Sequence, residues 1–309
     1  MKQSCLSGIL GLAVGDALGV PVEFLSRSRL KENPVTSMRG FGTWDKPAGT
    51  WSDDTSLTLA TLDSLAGGID PEDCMNKFAA WFHEGKYTPD GDMFDVGNTT
   101  CSAIQNHRPG TTERDNGNGS LMRILPAVYA AYAKYGSDAV KTPAAFDLIH
   151  TYSALTHAHP ISKMTCGIYA CVAVKLLDGE DKVWAVEEGA SAAARYYHEN
   201  PEFRPWYQYF TRIFNRILGN IGEVGIRSGG FAVDTLEAAL WVLLTQESFE
   251  ATVLHAVNLG EDTDTTAAVA GGLAGILYGA EAIPKEWKAG LLGREELEAL
   301  CRTFDEKWF

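Results

Sequence analysis

Two short acidic segments constrain the folding of this 309-residue chain more than any other feature of its sequence. Residues 51–55 read WSDDT and residues 261–266 read EDTDTT, and each segment directly precedes an apolar stretch with helical periodicity. Two carboxylates about 4 Å apart repel each other by roughly 4 kcal/mol at an effective dielectric constant near 20. If the two segments meet in the fold, a cation must offset that repulsion.

Helix capping is the simplest role for either segment alone. Asp, Ser and Thr are preferred N-caps, and acidic side chains interact favourably with the positive end of the helix dipole. A cap needs one side-chain oxygen, however, whereas each segment offers two carboxylates flanked by hydroxyls. Five or six hard oxygens suit Mg²⁺, Mn²⁺ or Ca²⁺, and neither segment has the Cys or His that zinc prefers. Together the segments predict a site for divalent cations.

The overall charge indicates the same kind of ligand. The formal net charge is −14 and the isoelectric point is near 4.9, so the surface would repel nucleic acids and anionic membranes. Cationic ligands and divalent ions are the expected partners, with no nucleic-acid groove. The length fits one large domain or two small ones, and a hydrophobic fraction of 45% is ample for a core.

The cysteines and the apolar runs of the sequence predict the cellular location of the protein. The six cysteines occur singly, without zinc spacing, in a chain too large to need disulfide staples. The apolar run that begins at Leu6 is broken by Asp16 and lacks a small-residue cleavage site, which argues against a signal peptide. No stretch reaches the roughly 20 uninterrupted apolar residues of a membrane span. We therefore expect a cytoplasmic protein outside the membrane; the oligomeric state stays open, with a monomer as the simplest expectation.

Helical periodicity dominates the chain. Four glycines between residues 8 and 19 share one helical face, which predicts close approach by another helix. Residues 266–278 are almost entirely apolar and predict a buried helix. The glycines are Gly8, Gly11, Gly15 and Gly19, and the remaining helical patterns cover residues 57–67, 126–135, 162–177, 183–197, 233–245 and 249–259.

Few strand signals are present, so the pattern predicts an all-α fold. No alternating run of β-branched residues is bounded by turn residues. Polar, glycine-bearing segments at 39–49, 87–97 and 109–120 interrupt the helices without the composition of a linker. Long ordered loops on a helical scaffold are where sites tend to be built. We therefore expect these loops to surround the site of one domain.

Six motifs in order along the chain resemble those of the ADP-ribosylglycohydrolase family, the group of dinitrogenase reductase-activating glycohydrolase and the mammalian ADP-ribosylarginine hydrolases. The resemblance extends from Gly8 to about Gly279, and six motifs in one order are specific where any one alone would be weak. The motifs are GLAVGDALG (11–19) followed by Glu23, WSDDT (51–55), FDVGNTT (94–100), NGNGSLMR (116–123), TH (156–157) and NLGEDTDT (258–265).

The resemblance implies an all-α orthogonal helical bundle, one domain over residues 1–309, with a central bimetal cleft that binds ADP-ribose. It implies two Mg²⁺ or Mn²⁺ ions and hydrolysis of the glycosidic bond between ADP-ribose and an acceptor, most often arginine. The implied partner is an ADP-ribosylated protein or a small ADP-ribosyl compound. The family often has Thr in place of Ser52, and either hydroxyl supplies an oxygen. The implied metal ligands are Ser52, Asp53, Asp54, Asp262, Asp264 and Thr265.

Four carboxylates are the candidate catalytic residues. Asp54 and Asp262 would act through the ions that they bind. Glu23 matches the functional glutamate of the family and is the candidate for handling a proton or gating the cleft, although a lone Glu after Pro-Val is more often solvated. Asp95 could hold the guanidinium of an arginine acceptor, or cap its own loop through Asn98.

Candidate ligand-binding residues follow from the same motifs. Backbone N–H groups of residues 117–120 could wrap a pyrophosphate, although plain turns have the same composition. His157 is a candidate donor to a phosphate or ribose oxygen, with a structural role as the alternative. Phe231, where relatives commonly carry Tyr, is a candidate platform for adenine, with a core role as the alternative. The full predicted set is Gly117, Asn118, Gly119, Ser120, Met122, His157 and Phe231.

Two other functions fit parts of the sequence. Residues 262–266 match the D-x-D-x-T motif of haloacid-dehalogenase-type phosphatases, but the preceding Phe249, Val253 and Val257 have helical spacing and that aspartate must end a buried strand. A non-catalytic ADP-ribose binder or structural relative, as among lens crystallins, is expected to lose metal ligands, whereas every matched acid is present here. The sequence leaves open the acceptor, which could be arginine, serine, a nucleobase or a free ADP-ribose derivative.

Overall fold

The computed structural model describes residues 4–309, and the regular structure in that part of the chain is helical, without a β-strand. The all-α prediction is therefore confirmed. The α-helices are α1 (Leu6–Gly19), α2 (Arg27–Glu32), α3 (Asp53–Gly67), α4 (Pro71–Glu84), α5 (Asn98–Asn106), α6 (Leu125–Tyr135), α7 (Pro143–Ala154), α8 (Pro160–Leu177), α9 (Lys182–Glu199), α10 (Thr211–Phe214), α11 (Ala232–Thr245), α12 (Phe249–Asn258), α13 (Thr263–Tyr278), α14 (Lys285–Gly290) and α15 (Arg294–Trp308). Short 3₁₀ helices cover Val20–Val22, Glu113–Asp115, Asn118–Ser120, Gly136–Lys141, Arg204–Phe210, Leu218–Asn220, Glu223–Gly225 and Ala280–Ala282.

The glycine face of α1 packs directly on the backbone of α13. At three of the predicted glycines an added Cβ would overlap backbone atoms of the facing helix, because no side chain separates the two helices. The α13 segment in this contact is buried, as predicted for residues 266–278. The facing pairs are Gly11 with Gly271, Gly15 with Ala267, and Gly19 with Asp264.

The predicted helical patterns all lie in helices, and two of the helices that were not predicted, α4 and α15, have a common property. The boundaries differ from the predictions by a few residues at each end, as expected where capping sets the end. The fully buried residues of α4 and α15 form one narrow stripe with i, i+4, i+7 spacing, which a search for broad apolar faces passes over. The buried stripe residues are Cys74, Phe78 and Trp81 in α4, and Leu297, Cys301 and Phe304 in α15.

The predicted loops are present at the expected positions. Residues 39–49 and 87–97 contain no helix, and residues 109–120 contain two short 3₁₀ turns. The first loop packs on the end of α1, because the backbone N–H of Thr43 donates to the carbonyl of Pro21 at 3.1 Å and its hydroxyl donates to the carbonyl of Glu23 at 2.7 Å. The 39–49 loop therefore adjoins the C-terminal end of α1, near the starts of α3 and α13.

One helix of the described chain, α8, is long and apolar enough by composition to cross a membrane. The burial of this helix explains its composition, since 78% of its apolar window lies inside the fold. A core helix surrounded by other helices is apolar on all sides.

Replacement of Gly15 by Ala is expected to destabilise the protein. The new Cβ overlaps the Ala267 backbone, so α1 and α13 must separate, at a cost of roughly 1–3 kcal/mol. Urea unfolding followed by circular dichroism measures the change. Gly67→Ala is the matched control, because a Cβ at the exposed end of α3 meets no atom within 4 Å. Equal stability of the two variants would contradict direct backbone packing.

Candidate metal centre and cleft

Three helices bring carboxylates from distant parts of the chain together. Side-chain oxygens of Asp16, Asp54 and Asp264 all lie within 4.8 Å of one another, and the same holds for Glu23, Asp262 and Asp264. Asp264 belongs to both groups, so two potential cation positions share one carboxylate. The acidic cluster, as it is called from here on, consists of Asp16, Glu23, Asp53, Asp54, Asp95, Asp262 and Asp264.

Asp16 anchors the first turn of α3 to α1. Its carboxylate accepts hydrogen bonds from the backbone N–H groups of Ser52 at 2.9 Å and Thr55 at 3.0 Å, and from the Thr55 hydroxyl at 2.6 Å. Charge-assisted bonds of this kind fix the position of the helix start. Asp16 was not predicted as a site residue, although an acid within a glycine-rich apolar helix was a usable signal.

Capping explains only part of the acidic segments. Ser52 is the N-cap of α3, and its side chain accepts from the backbone N–H of Asp54 at 3.3 Å. Asp262 occupies the N-cap position of α13 but makes no side-chain cap bond there. Asp264 instead accepts from the backbone N–H of Thr265 at 2.9 Å. The carboxylates of the first turns are thus largely left for another role.

The donor set fits divalent cations. One oxygen each of Asp54, Asp262 and Asp264 is buried and has no hydrogen-bond partner. Within residues 4–309 no Lys, Arg or His forms an ion pair with any member of the acidic cluster. Buried carboxylates without cationic partners are strongly unfavourable, and hard oxygens in this density are the ligands that Mg²⁺, Mn²⁺ and Ca²⁺ prefer. The arrangement therefore suits metal ions better than side-chain pairing.

Burial raises the pKa of every carboxyl in the acidic cluster. The pKa rises to about 6 for Asp16 and Asp95 and to about 9 for Glu23. For Asp54 and Asp264 burial is again the main cause, and neighbouring carboxylates raise the pKa further. Without a cation the cluster therefore retains protons that isolated carboxyls would lose.

Side chains from other elements hold the cluster in position. The Thr265 hydroxyl donates to Asp54 at 3.3 Å and thereby links the starts of α13 and α3. The Asn118 amide donates to Asp262 at 2.8 Å and to the Thr235 hydroxyl at 2.9 Å. Backbone bonds from Phe24 to the carbonyl of Glu261 and from Glu261 to the carbonyl of Leu25, both 2.7 Å, clamp the loop before α13 to the segment after α1.

Four members of the acidic cluster, Glu23, Asp53, Asp95 and Asp262, form the floor of an open cleft of about 230 Å³. Most of the residues predicted for catalysis and ligand binding meet on its surface. The lining residues are Glu23, Asp53, Asp95, Gly97, Asn98, Thr99, Thr100, Gly117, Asn118, Gly119, Met122, His157, Gly230, Asp262 and Thr265.

Ser120 and Phe231 are the two predicted ligand-binding residues outside that lining. The Ser120 hydroxyl is buried, accepts from the Ser153 hydroxyl at 3.0 Å and lies 3.5 Å from the Cys166 sulfur. Phe231 is half-buried beside the cleft, where its ring meets Tyr209 edge to face at 6.3 Å. An isolated bridge pairs Phe231 with Gly117, so its backbone positions the glycine-rich segment.

Aromatic residues lie next to Glu23 and Asp95, in the region called the mouth of the cleft from here on. Trp44 donates its indole N–H to Glu23 at 2.5 Å, and its ring contacts Phe94 at 5.4 Å between centroids. Phe24 packs edge to face on Trp44 at 6.2 Å and is 65% exposed. Asp95, next to Phe94, has a left-handed backbone with φ of 56°. Trp44 was not predicted, because the loop that carries it has no local pattern pointing to Glu23.

The class is defined by an all-α fold that gathers buried carboxylates at helix N-termini beside an open cleft, an arrangement with the donor chemistry of a divalent-cation site. The chain belongs to the ADP-ribosylglycohydrolase family, which it matches over residues 2–308.

Named relatives and a solved structure agree with that assignment. The chain is 32% identical over 312 residues to the ADP-ribosylarginine hydrolase Tri1 of Pseudomonas putida (strain GB-1), which covers 97% of this chain and 77% of the relative. It is 33% identical over 308 residues to the ADP-ribosyl-[dinitrogen reductase] glycohydrolase of Rhodospirillum rubrum, covering 96% and 93%. A solved structure described as an ADP-ribosylglycohydrolase-related protein complex superposes with a TM-score of 0.79 at 31% identity, covering 99% and 98%.

The metal-free protein is expected to lose stability as the pH rises from 6.5 to 8. Because the pKa of Glu23 is raised to about 9, the folded carboxyl keeps a proton that the unfolded one has already lost. A raised pKa stabilises the folded state most below the unfolded value, and the contribution disappears as the pH rises through the folded value. Glu23 alone should lower the free energy of unfolding by about 2 kcal/mol over this interval.

Urea unfolding in EDTA at the two pH values measures this loss. Glu23→Gln removes the contribution of Glu23 and should reduce the dependence, and saturating Mg²⁺ should reduce it as well. A wild-type protein whose stability in EDTA does not change between these pH values would show that the cluster is not proton-linked.

Proposed function

We propose that this protein is a metal-dependent hydrolase that cleaves the glycosidic bond between ADP-ribose and an arginine side chain on a modified protein. The observation that carries the proposal is that two groups of carboxylates share Asp264, and that Glu23 and Asp262 of the second group line an open cleft. Membership of the ADP-ribosylglycohydrolase family supplies the glycosidic hydrolase activity. The relatives named as ADP-ribosylarginine hydrolase and ADP-ribosyl-[dinitrogen reductase] glycohydrolase support the arginine acceptor and the protein substrate.

The acidic cluster would hold two divalent ions. The ligand oxygens would come from Asp54 and Asp264 at one position, beside Asp16, and from Asp262 and Asp264 at the other, beside Glu23, with the Thr265 hydroxyl next to Asp54. When bound, the ions would supply positive charge and Lewis acidity at the sugar. Mg²⁺ and Mn²⁺ are our proposed ions, because both accept an all-oxygen site of this kind.

The reaction adds water across one bond. The hydroxyl of water joins the anomeric carbon of the ribose, the carbon–nitrogen bond breaks, and a proton goes to the guanidine nitrogen that leaves. Positive charge develops on the ribose ring as that bond breaks. The buried carboxylates of the floor favour that charge, and the cleft walls restrict water around it.

Glu23 and Asp95 are suited to holding and moving the proton. Trp44 fixes the Glu23 carboxyl through one oxygen, and burial together with the nearby Asp95 carboxylate raises the pKa of Glu23 to about 9. Both Glu23 and Asp95 line the cleft. A carboxyl held in hydrogen-bond reach of water and of the leaving group can serve as acid or base.

The mouth of the cleft matches a guanidinium acceptor. Asp95 offers a carboxylate for a bidentate pair, and the rings of Phe24 and Trp44 offer faces on which a planar cation can stack, whereas the Phe94 ring already lies under the Lys46 ammonium at 5.1 Å. A serine acceptor would use neither feature. The net charge of −14 also favours a cationic protein surface around the modified residue.

The competing functions fit the structure less well. The segment before Asp262 is helix α12 and not a buried strand, so the phosphatase motif lacks the setting that its chemistry requires. A non-catalytic binder has no use for a buried, unpaired carboxylate cluster, which is costly to keep. We further propose a cytoplasmic, monomeric protein that acts away from the membrane.

Asp264→Asn is expected to lower kcat at least about 100-fold, because one residue serves both proposed ion positions. Release of arginine from ADP-ribosylated protein measures kcat, and circular dichroism checks the fold. Chelation of the wild-type enzyme should give a comparable loss that Mg²⁺ or Mn²⁺ reverses. Undiminished turnover in EDTA, or in the variant, would refute the metal-dependent mechanism.

Asp95→Asn is expected to raise KM for ADP-ribosylated arginine roughly 10-fold or more, because a charged hydrogen-bonded pair with guanidinium contributes about 1.5–3 kcal/mol. Asp92→Asn is the matched control in the same loop, since Asp92 is exposed and pairs with Lys46 at 2.7 Å. Parallel assays with ADP-ribosylated serine complete the comparison. Faster hydrolysis of the serine substrate by the wild-type enzyme would overturn the proposed acceptor.

A further inference from the structure

A buried arginine lies behind one side of the cleft and has no carboxylate partner among residues 4–309. That side, called the wall of the cleft from here on, is formed by Gly117, Asn118, Gly119 and His157. Arg123 is 0% exposed, and its guanidinium lies over the Phe78 ring at 4.5 Å. It donates to the carbonyl of Tyr152 at 3.1 Å and to the hydroxyl of Thr156 at 2.7 Å. Burying a charged group costs desolvation free energy unless its hydrogen-bond partners compensate for the water that it loses.

The Thr156 hydroxyl also forms a hydrogen bond with His157. Its oxygen lies 2.8 Å from Nδ1 of the imidazole. If Nδ1 carried a proton, the Thr156 oxygen would accept from both Arg123 and His157, and its own buried proton would have no acceptor. If the Thr156 hydroxyl donates to Nδ1, each of these hydrogens has a partner. The second arrangement is favoured because a buried donor without a partner costs about 1–3 kcal/mol.

This arrangement places the imidazole proton on Nε2, which faces the cleft. His157 lines the cleft, and a Cβ added at Gly117 or Gly119 would lie 3.7 Å or 3.5 Å from Nε2. The same Cβ on Gly119 would come within 2.9 Å of Cε1, so the glycine lets the segment pack on the ring. Nε2 forms no hydrogen bond with another described residue, which leaves its proton available to a ligand.

The imidazole is also neutral. Burial and the nearby charge of Arg123 lower the pKa of His157 to about 3. The ring therefore offers one N–H donor, with its orientation held by the bond at Nδ1.

We infer that Arg123 and Thr156 are positioning residues that hold His157 as the neutral Nε2–H tautomer, so that it donates to an oxygen of the ligand in the cleft. The identity of that ligand as ADP-ribose rests on the proposed function. The opposite tautomer would present a lone pair to the same oxygen and would repel it. Arg123 and Thr156 therefore determine whether the imidazole of His157 attracts or repels the ligand.

Nitrogen-15 NMR of histidine-labelled, ligand-free protein tests the tautomer directly. His157→Gln identifies the His157 signals, and His150, buried against the Tyr197 hydroxyl at 3.0 Å, is an internal reference. Wild-type protein should show a protonated Nε2 and an unprotonated Nδ1 at His157. A protonated Nδ1, or a charged ring at neutral pH, would overturn the inference.

Thr156→Val and Thr156→Ser form the matched pair of variants, because replacement of the buried Arg123 itself endangers folding. Valine keeps the shape but removes the donor, so the His157 signals should move toward the other tautomer and the Kd for ADP-ribose, measured by calorimetry, should rise about 10-fold. Serine keeps the hydroxyl and should restore both readouts to within about 2-fold of wild type. Unchanged His157 signals and Kd in the valine variant would overturn the inference.

The two readouts separate this inference from the proposed function. A wild-type protein with the expected tautomer that binds no ADP-ribose would support the positioning role and refute the proposed ligand. A protein that binds ADP-ribose and hydrolyses the substrate but has the Nδ1–H tautomer would refute the positioning role alone.

Discussion

The close packing of α1 on α13 is the contact on which the site depends. Gly11, Gly15 and Gly19 let the two backbones touch, and Gly19 meets Asp264 at the start of α13. That contact places Asp16, on α1, within reach of Asp264. Because the contact is made by backbone atoms, it leaves little freedom for the helices to slide. The carboxylate positions are therefore fixed by main-chain geometry before any ligand arrives.

Electrostatics and packing oppose each other in the metal-free protein. Packing brings together seven carboxyls that are difficult to ionise because of burial and, for members such as Asp54 and Asp264, repulsion by neighbouring carboxylates. Hydrogen bonds from Ser52 and Thr55 stabilise the ionised form of Asp16 and of no other member of the cluster. The protein resolves the conflict by retaining protons, and divalent ions would resolve it by supplying charge. Strain of this kind is typical of binding sites, where the unliganded state is less stable than the scaffold permits.

The floor and the wall of the cleft differ in chemical character. The floor is acidic and suits cations, whereas the wall consists of glycine backbone, Asn118 and the neutral imidazole of His157. Two isolated bridges hold the backbone of the wall in place without a sheet. One pairs His157 with Gly110, and the other pairs Gly117 with Phe231. A ligand with a sugar at one end and phosphates near the other would meet both surfaces.

The sequence by itself determined the helical class, the glycine face of α1 and the two acidic helix starts, because each depends on residues close together in the chain. It also singled out the loops at 39–49 and 87–97. Only the tertiary structure decided that Asp16 joins the cluster, that Trp44 holds Glu23, and that the Ser120 hydroxyl lies away from the cleft. Those outcomes depend on which backbone segments face each other across long separations, and local periodicity carries no information about such pairings.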